Sequence, residues 1–130
     1  MSDKPEKAAS YKDLIVWQKG IALVRKVYEI TRTFPDDEKF GLTAQLRRAA
    51  VSIPSNIAEG QARHTTREFI RFVSNAEGST AEVETQLIIA TELNYCEKSI
   101  NSDVFEAVNE MRRMLNGLRR KLVQKLDPPR

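Results

Sequence analysis

"VFEAVNEMRRMLNGLRRKL", residues 104–122, carries Val104, Val108, Met111, Leu115, Leu118 and Leu122 at intervals of four, three, four, three and four. That spacing puts all six side chains on one stripe of an α-helix, the seam by which antiparallel helices pack into a bundle. A helix with such a seam needs partners, and the rest of the chain supplies three more periodic segments. The expected architecture is all-α, an up-and-down antiparallel four-helix bundle over residues 11–126, with helices at about 11–34, 40–59, 66–94 and 102–126. A disordered N-terminal tail is expected over 1–10 and a C-terminal tail over 127–130.

Local signals set these boundaries. Ser10 with Asp13 three residues on suits a helix start, and Pro35 closes the first segment. Leu14, Trp17, Ile21, Val24, Tyr28 and Thr31 form one stripe of that helix, and Val16, Leu23, Val27, Ile30 and Phe34 form a second. A helix apolar on two sides requires two neighbours or an external partner, which makes Trp17 and Tyr28 candidate oligomer-interface anchors. Gly60 is read as the stop of the second helix. Thr65 with Glu68 is a capping box for the third. Its stripe runs through Phe69, Phe72 or Val73, Ala76, Thr80, Val83, Leu87 and Ala90, with the small residues Ala76, Gly78, Ser79 and Ala81 marking a place for close approach.

Composition agrees with this class. The 130 residues are 41% hydrophobic and 30% charged, and five glycines with five prolines leave little room for a many-turned β fold. No apolar run approaches the ~18 residues of a membrane span, and no signal-peptide stretch opens the chain. A single cysteine, Cys96, forms no internal disulfide and fits a reducing interior, so a cytoplasmic location without membrane contact is expected.

The net charge of +3 is unevenly spread. Residues 11–34 carry five basic and two acidic side chains, and residues 64–94 carry two basic and five acidic. From Arg112 to Lys125 the basic residues Arg112, Arg113, Arg119, Arg120, Lys121 and Lys125 meet no acidic residue. The arginines repeat at an interval of seven and so form a ridge beside the seam, a candidate phosphate-binding surface.

Catalytic chemistry finds little support. The one histidine, His64, precedes a helix cap, no Walker or dinucleotide glycine pattern occurs, and Cys96 has no nearby His or second Cys in sequence. Glu77 and Glu84 lie seven residues apart on one face of the third helix, where pairing with a neighbouring helix is a better reading than paired-carboxylate chemistry. No metal or cofactor and no enzymatic activity are expected.

One stretch resists a purely periodic reading. In "RRAAVSIPSNIAEG", residues 47–60, apolar Ile53 and Ile57 keep helical spacing across Pro54, although proline inside a helix costs ~3 kcal/mol or more. Pro54 is expected to bend the helix, with Ser52 or a side chain of another helix satisfying the carbonyl of Ala50. Asn56 and Glu59 are expected to point toward adjacent helices or a neighbouring subunit. Arg47 and Arg48 project about 100° apart, so one is free to reach Glu82 or Glu84 while the other faces solvent, a subunit or phosphate.

"YKDLIVWQKG" (11–20), "FPDDEKFGLTAQLRRAAVSIPSNIAEG" (34–60) and "REFIRFVSNAEGSTAEVETQLIIA" (67–90) together resemble the 23S rRNA intervening-sequence proteins. The specific part is the run Gly41, Leu42, Gln45, Arg48, Ala49 followed by Ser52, Ile53, Pro54, Asn56, Ile57, Ala58, Glu59 and Gly60. Asn75 and Glu77 depart from the more apolar pattern expected before Gly78 and Ser79. The resemblance implies a four-helix bundle, a bacterial homo-oligomer in the form of a ring-shaped pentamer, and genes lying within ribosomal RNA insertions or elsewhere. A related branch, the accessory protein of diversity-generating retroelements, implies nucleic acid and a reverse transcriptase as partners. The resulting expectation is a non-enzymatic oligomeric scaffold that associates with structured RNA or DNA. The alternative is a protein–protein interaction bundle without nucleic-acid binding.

Overall fold

A computed structural model describes residues 10–126, and the side chains of 98–101 stand outside the description. The tails expected over 1–10 and 127–130 therefore lie outside the described residues, apart from Ser10. The elements are α1 (Ile15–Thr31), α2 (Leu42–Gln61), α3 (Thr66–Glu92) and α4 (Lys98–Leu126), with 3₁₀ turns at Tyr11–Asp13 and Asp36–Glu38. Each helix contacts its predecessor, and α1 also packs on α4. Successive cross-helix pairs run in opposite senses at every contact: Gly20 with Pro54 and Thr31 with Arg47, Ser52 with Ser79 and Gly60 with Phe72, Glu77 with Arg119 and Glu84 with Arg112, Lys19 with Glu110 and Lys26 with Asp103. This is an up-and-down four-helix bundle.

The helix ends differ from the sequence expectation, each for a local reason. Ser10 does cap, accepting the Lys12 N–H, but it caps a single 3₁₀ turn. Leu14 is extended, at φ −75° and ψ 127°, so α1 begins at Ile15. At its other end Pro35 disfavours helical backbone at the residue before it. The chain from Arg32 to Phe34 accordingly tightens into bonds three residues back, to Glu29, Ile30 and Thr31. The third helix ends on a Schellman motif: the Asn94 N–H donates to Thr91 O and the Tyr95 N–H to Ala90 O, with Asn94 left-handed at φ 61°. α4 begins at Lys98, four residues before the expected 102, so the connection is shorter than the expected 94–101.

Gly60 is not a stop. α2 continues through it to Gln61, and no described glycine has positive φ. Gly60 is buried because a Cβ there would lie 2.8 Å from Phe72 Cβ and 2.9 Å from Phe69 Cδ1. Its missing side chain lets α3 approach α2.

The core joins Leu23, Val27 and Ile30 of α1, Leu46, Ile53 and Ile57 of α2, Val73, Val83 and Leu87 of α3, and Val108, Met111 and Leu115 of α4. The buried stripe of α1 is the one containing Val16, Leu23, Val27, Ile30 and Phe34, whereas Leu14, Trp17 and Val24 are half-buried at the core's edge. Trp17 is half-buried and meets Tyr11 edge-on at 5.4 Å between ring centroids.

At the end of the bundle holding the α1–α2 and α3–α4 connections, Glu38 and Tyr95 form a clasp. Glu38 Oε1 accepts the Leu42 N–H at 2.9 Å, supplying the start of α2 with a cap from four residues upstream, since Gly41 has no side chain to do so. Glu38 Oε2 accepts the Tyr95 hydroxyl at 2.8 Å, and Tyr95 also packs on Phe34. The bond from the Leu42 amide, followed by that from Tyr95, holds the Glu38 carboxyl below its ordinary range. The same carboxylate, with burial, pushes the Tyr95 phenol up.

Candidate nucleic-acid interface on the last helix

The six basic residues from Arg112 to Lys125 on α4 differ in what they meet. Arg112 donates to Glu84 at 2.9 Å and also meets Asn109. One heptad on, Arg119 donates to Glu77 at 2.9 Å and to Asn116 at 3.0 Å. Because α3 and α4 are antiparallel, a pair of glutamates seven apart meets a pair of arginines seven apart in reverse order. Two cations of the expected ridge, Arg112 and Arg119, are therefore turned toward α3 and paired there with Glu84 and Glu77. Arg113, Arg120, Lys121 and Lys125 are exposed and make no ion pair among the described residues.

On its other flank α4 carries the opposite charge. Asp103 accepts from Lys26 at 2.7 Å and Glu110 from Lys19 at 3.3 Å, again one heptad apart. Arg113 lines the polar groove above these pairs. The sequence reading missed this second ladder, although the matched intervals of seven in α1 and α4 carried its signal.

The motif around Pro54 is structural. α2 continues as a helix across it, and Pro54 is buried against Gly20, whose Cβ, if present, would sit 3.3 Å from Pro54 Cβ. Ser52 does not serve the carbonyl of Ala50; its hydroxyl donates to Ala49 O at 2.8 Å and pairs with Ser79 of α3. Asn56 turns back onto its own helix, donating to Ser52 O at 2.7 Å, and Glu59 pairs with Arg63 one turn on. Of the two expected directions, an adjacent helix or a neighbouring subunit, neither side chain takes the first: both contacts stay within α2 and the turn after it. Gln45 accepts a long 3.5 Å contact from Gln86 of α3.

Arg47 packs on the end of α1. Its Nε donates to Thr31 Oγ1 at 2.8 Å, its guanidinium lies 4.4 Å from the Tyr28 ring centroid, and it approaches Tyr28 O. It thus serves the C-terminal end of α1, where unpaired carbonyls and the helix dipole favour a cation, and not Glu82 or Glu84. Arg48 is exposed and borders a shallow groove with Gln45, Ser52 and Glu82. Cys96 is half-buried, and burial pushes its thiol up, with a partial offset from Thr91. Among the described residues no group of three or more His, Cys, Asp or Glu side chains is placed to hold a metal, and no helix is long and apolar enough to cross a membrane.

The molecule is thus an antiparallel four-helix bundle with heptad-spaced ion pairs between α3 and α4 and between α1 and α4, and with Arg113, Arg120, Lys121 and Lys125 exposed on the last helix. The family model for the 23S rRNA-intervening sequence protein matches residues 12–117, and the chain belongs to that family. A crystal structure of a protein of unknown function from the S23 ribosomal protein family of Bacteroides thetaiotaomicron is similar in fold, with a TM-score of 0.74 and 19% identity over 80% of this chain and 97% of its own. Among curated proteins none matches.

Proposed function

We propose that the chain is a non-enzymatic cytoplasmic scaffold, assembled as a homo-oligomer, that associates with structured RNA or DNA through the outer face of α4. The observation that carries this reading is the set Arg113, Arg120, Lys121 and Lys125, exposed and without an ion pair among the described residues. On the α3 side the neighbouring acidic side chains, Glu77 and Glu84, are engaged by Arg119 and Arg112. Repeated around a ring, four such cations per protomer make a surface that holds phosphates by counterion release, with steep salt dependence and little sequence preference. In a retroelement setting a reverse transcriptase would be the protein partner.

The test is fluorescence anisotropy with a structured RNA and a duplex DNA at two salt concentrations, with mass by light scattering in the same buffers. Binding that weakens steeply with salt, and is lost when Arg113 and Arg120 become Gln, is the expected result. An intact oligomer that binds neither nucleic acid overturns the reading. A second reading, a bundle that joins proteins without touching nucleic acid, draws on Ile88, Ile89 and Leu93, which stand exposed near the end of α3.

A further inference from the structure

The flank of the bundle away from α4 carries an aromatic and basic cluster that neither the core nor the ion-pair ladders use. Tyr28 of α1, Lys39 and Phe40 of the connection, and Ala44, Arg47, Arg48 and Val51 of α2 border one shallow groove. Phe40 is 89% exposed, more than any other large apolar side chain described, whereas its neighbour Glu38 turns inward onto Leu42 and Tyr95. Lys39 Nζ lies 5.5 Å from the Phe40 ring centroid. Arg47 is already held in place by Thr31 and the Tyr28 ring, with guanidinium N–H groups to spare, and Arg48 makes no ion pair among the described residues. The groove is lined by three cations, two aromatic rings and no acidic residue.

A ligand that fits this lining must present a flat apolar face beside closely spaced negative charge. We infer that the groove binds single-stranded nucleic acid, an unpaired base stacking on Phe40 while adjacent phosphates meet Lys39, Arg47 and Arg48. Stacking on an aromatic ring accepts any base, and basic side chains beside it track the backbone. A duplex, with its bases already stacked, has nothing to offer Phe40. The inference rests on the proposed nucleic-acid association but concerns a different flank, since α2 and α4 are not neighbours in the bundle.

The experiment compares binding of a short fluorescein-labelled oligo(U) and of a duplex of the same length to the full chain and two variants. Phe40→Ala should weaken oligo(U) binding about tenfold and leave duplex binding unchanged. Because Phe40 is so exposed, the variant should keep its fold, checked by circular dichroism. The double variant Arg113→Gln with Arg120→Gln should do the reverse. Unchanged oligo(U) affinity in Phe40→Ala overturns the inference and leaves the α4 reading standing. Loss of oligo(U) binding with a duplex that never binds keeps the inference and sinks the α4 reading. If neither nucleic acid binds, both fall. A change in oligomer mass without a change in affinity per protomer makes the groove a protein contact, and that too overturns it.

Discussion

α2 meets α3 and α1 meets α4 by opposite means. Between α2 and α3 the contact is short-range: Gly60 under Phe72, buried Ala76, and the hydroxyls of Ser52 and Ser79 paired across the gap. Between α1 and α4 the outer contact is charge, Lys19 with Glu110 and Lys26 with Asp103, beside an open polar groove. Close packing fails steeply when an atom is added or removed, whereas an exposed ion pair is screened and forgiving. The first kind of contact should therefore set how stable the bundle is. The second should set which residues stand opposite each other.

Four changes would break or sharpen this contrast. Ile53→Ala, at a fully buried site, should lose about 2–5 kcal/mol of stability in urea titration, since it removes core area and leaves a cavity. Gly60→Ala should lose about 1–3 kcal/mol by forcing its new Cβ against Phe72. The control is Gly78→Ala on α3, where nothing lies within 4 Å of the added Cβ; there the same substitution should gain about 0.5–1 kcal/mol from helix propensity. If Gly60→Ala also stabilises, the close-approach account is wrong. Lys19→Gln with Lys26→Gln should lose only about 0.2–1 kcal/mol for each pair, a loss that fades in high salt.

The clasp at Glu38 adds a pH test of small effect. Its folded carboxyl titrates below the ordinary range, so its contribution is present above the unfolded value and is lost as pH falls through the folded one. Tyr95 titrates above its ordinary range, so its share is present below the unfolded phenol value and lost as pH rises through the folded one. Glu38→Gln should flatten the acid limb of stability against pH; an unchanged limb means that other carboxylates govern it.

How far the sequence could be read follows from what periodicity encodes. It encodes which side of a helix is buried, so the stripes of α3 and α4 and the fold class were legible from residues such as Val83 and Leu115. It does not encode which neighbour lies beside a given flank. Arg112 and Arg113 therefore looked alike, though one faces Glu84 and the other solvent. Pairing the intervals of seven in Glu77 and Glu84 with those in Arg112 and Arg119 would have separated them. Glycine was misread for a related reason. Its sequence signal is the same whether it permits a left-handed turn or a close approach, and here the left-handed position went to Asn94 while Gly60 served packing. The exposure of Phe40 has no sequence signal, because it depends on how Glu38 and Gly41 route the chain into α2.

Because α1 lies antiparallel to α4, the two ends of the described chain come to the same pole, where Leu14 shares a groove with Leu122 and Lys125. Connectivity and architecture are then separable. A short flexible linker from Leu126 back to Ser10, with the chain reopened in the exposed turn between Ala62 and Thr65, would give a circular permutant whose order is α3, α4, α1, α2. Every helix contact described above would survive that cut, and the new termini would emerge at the same pole as the old.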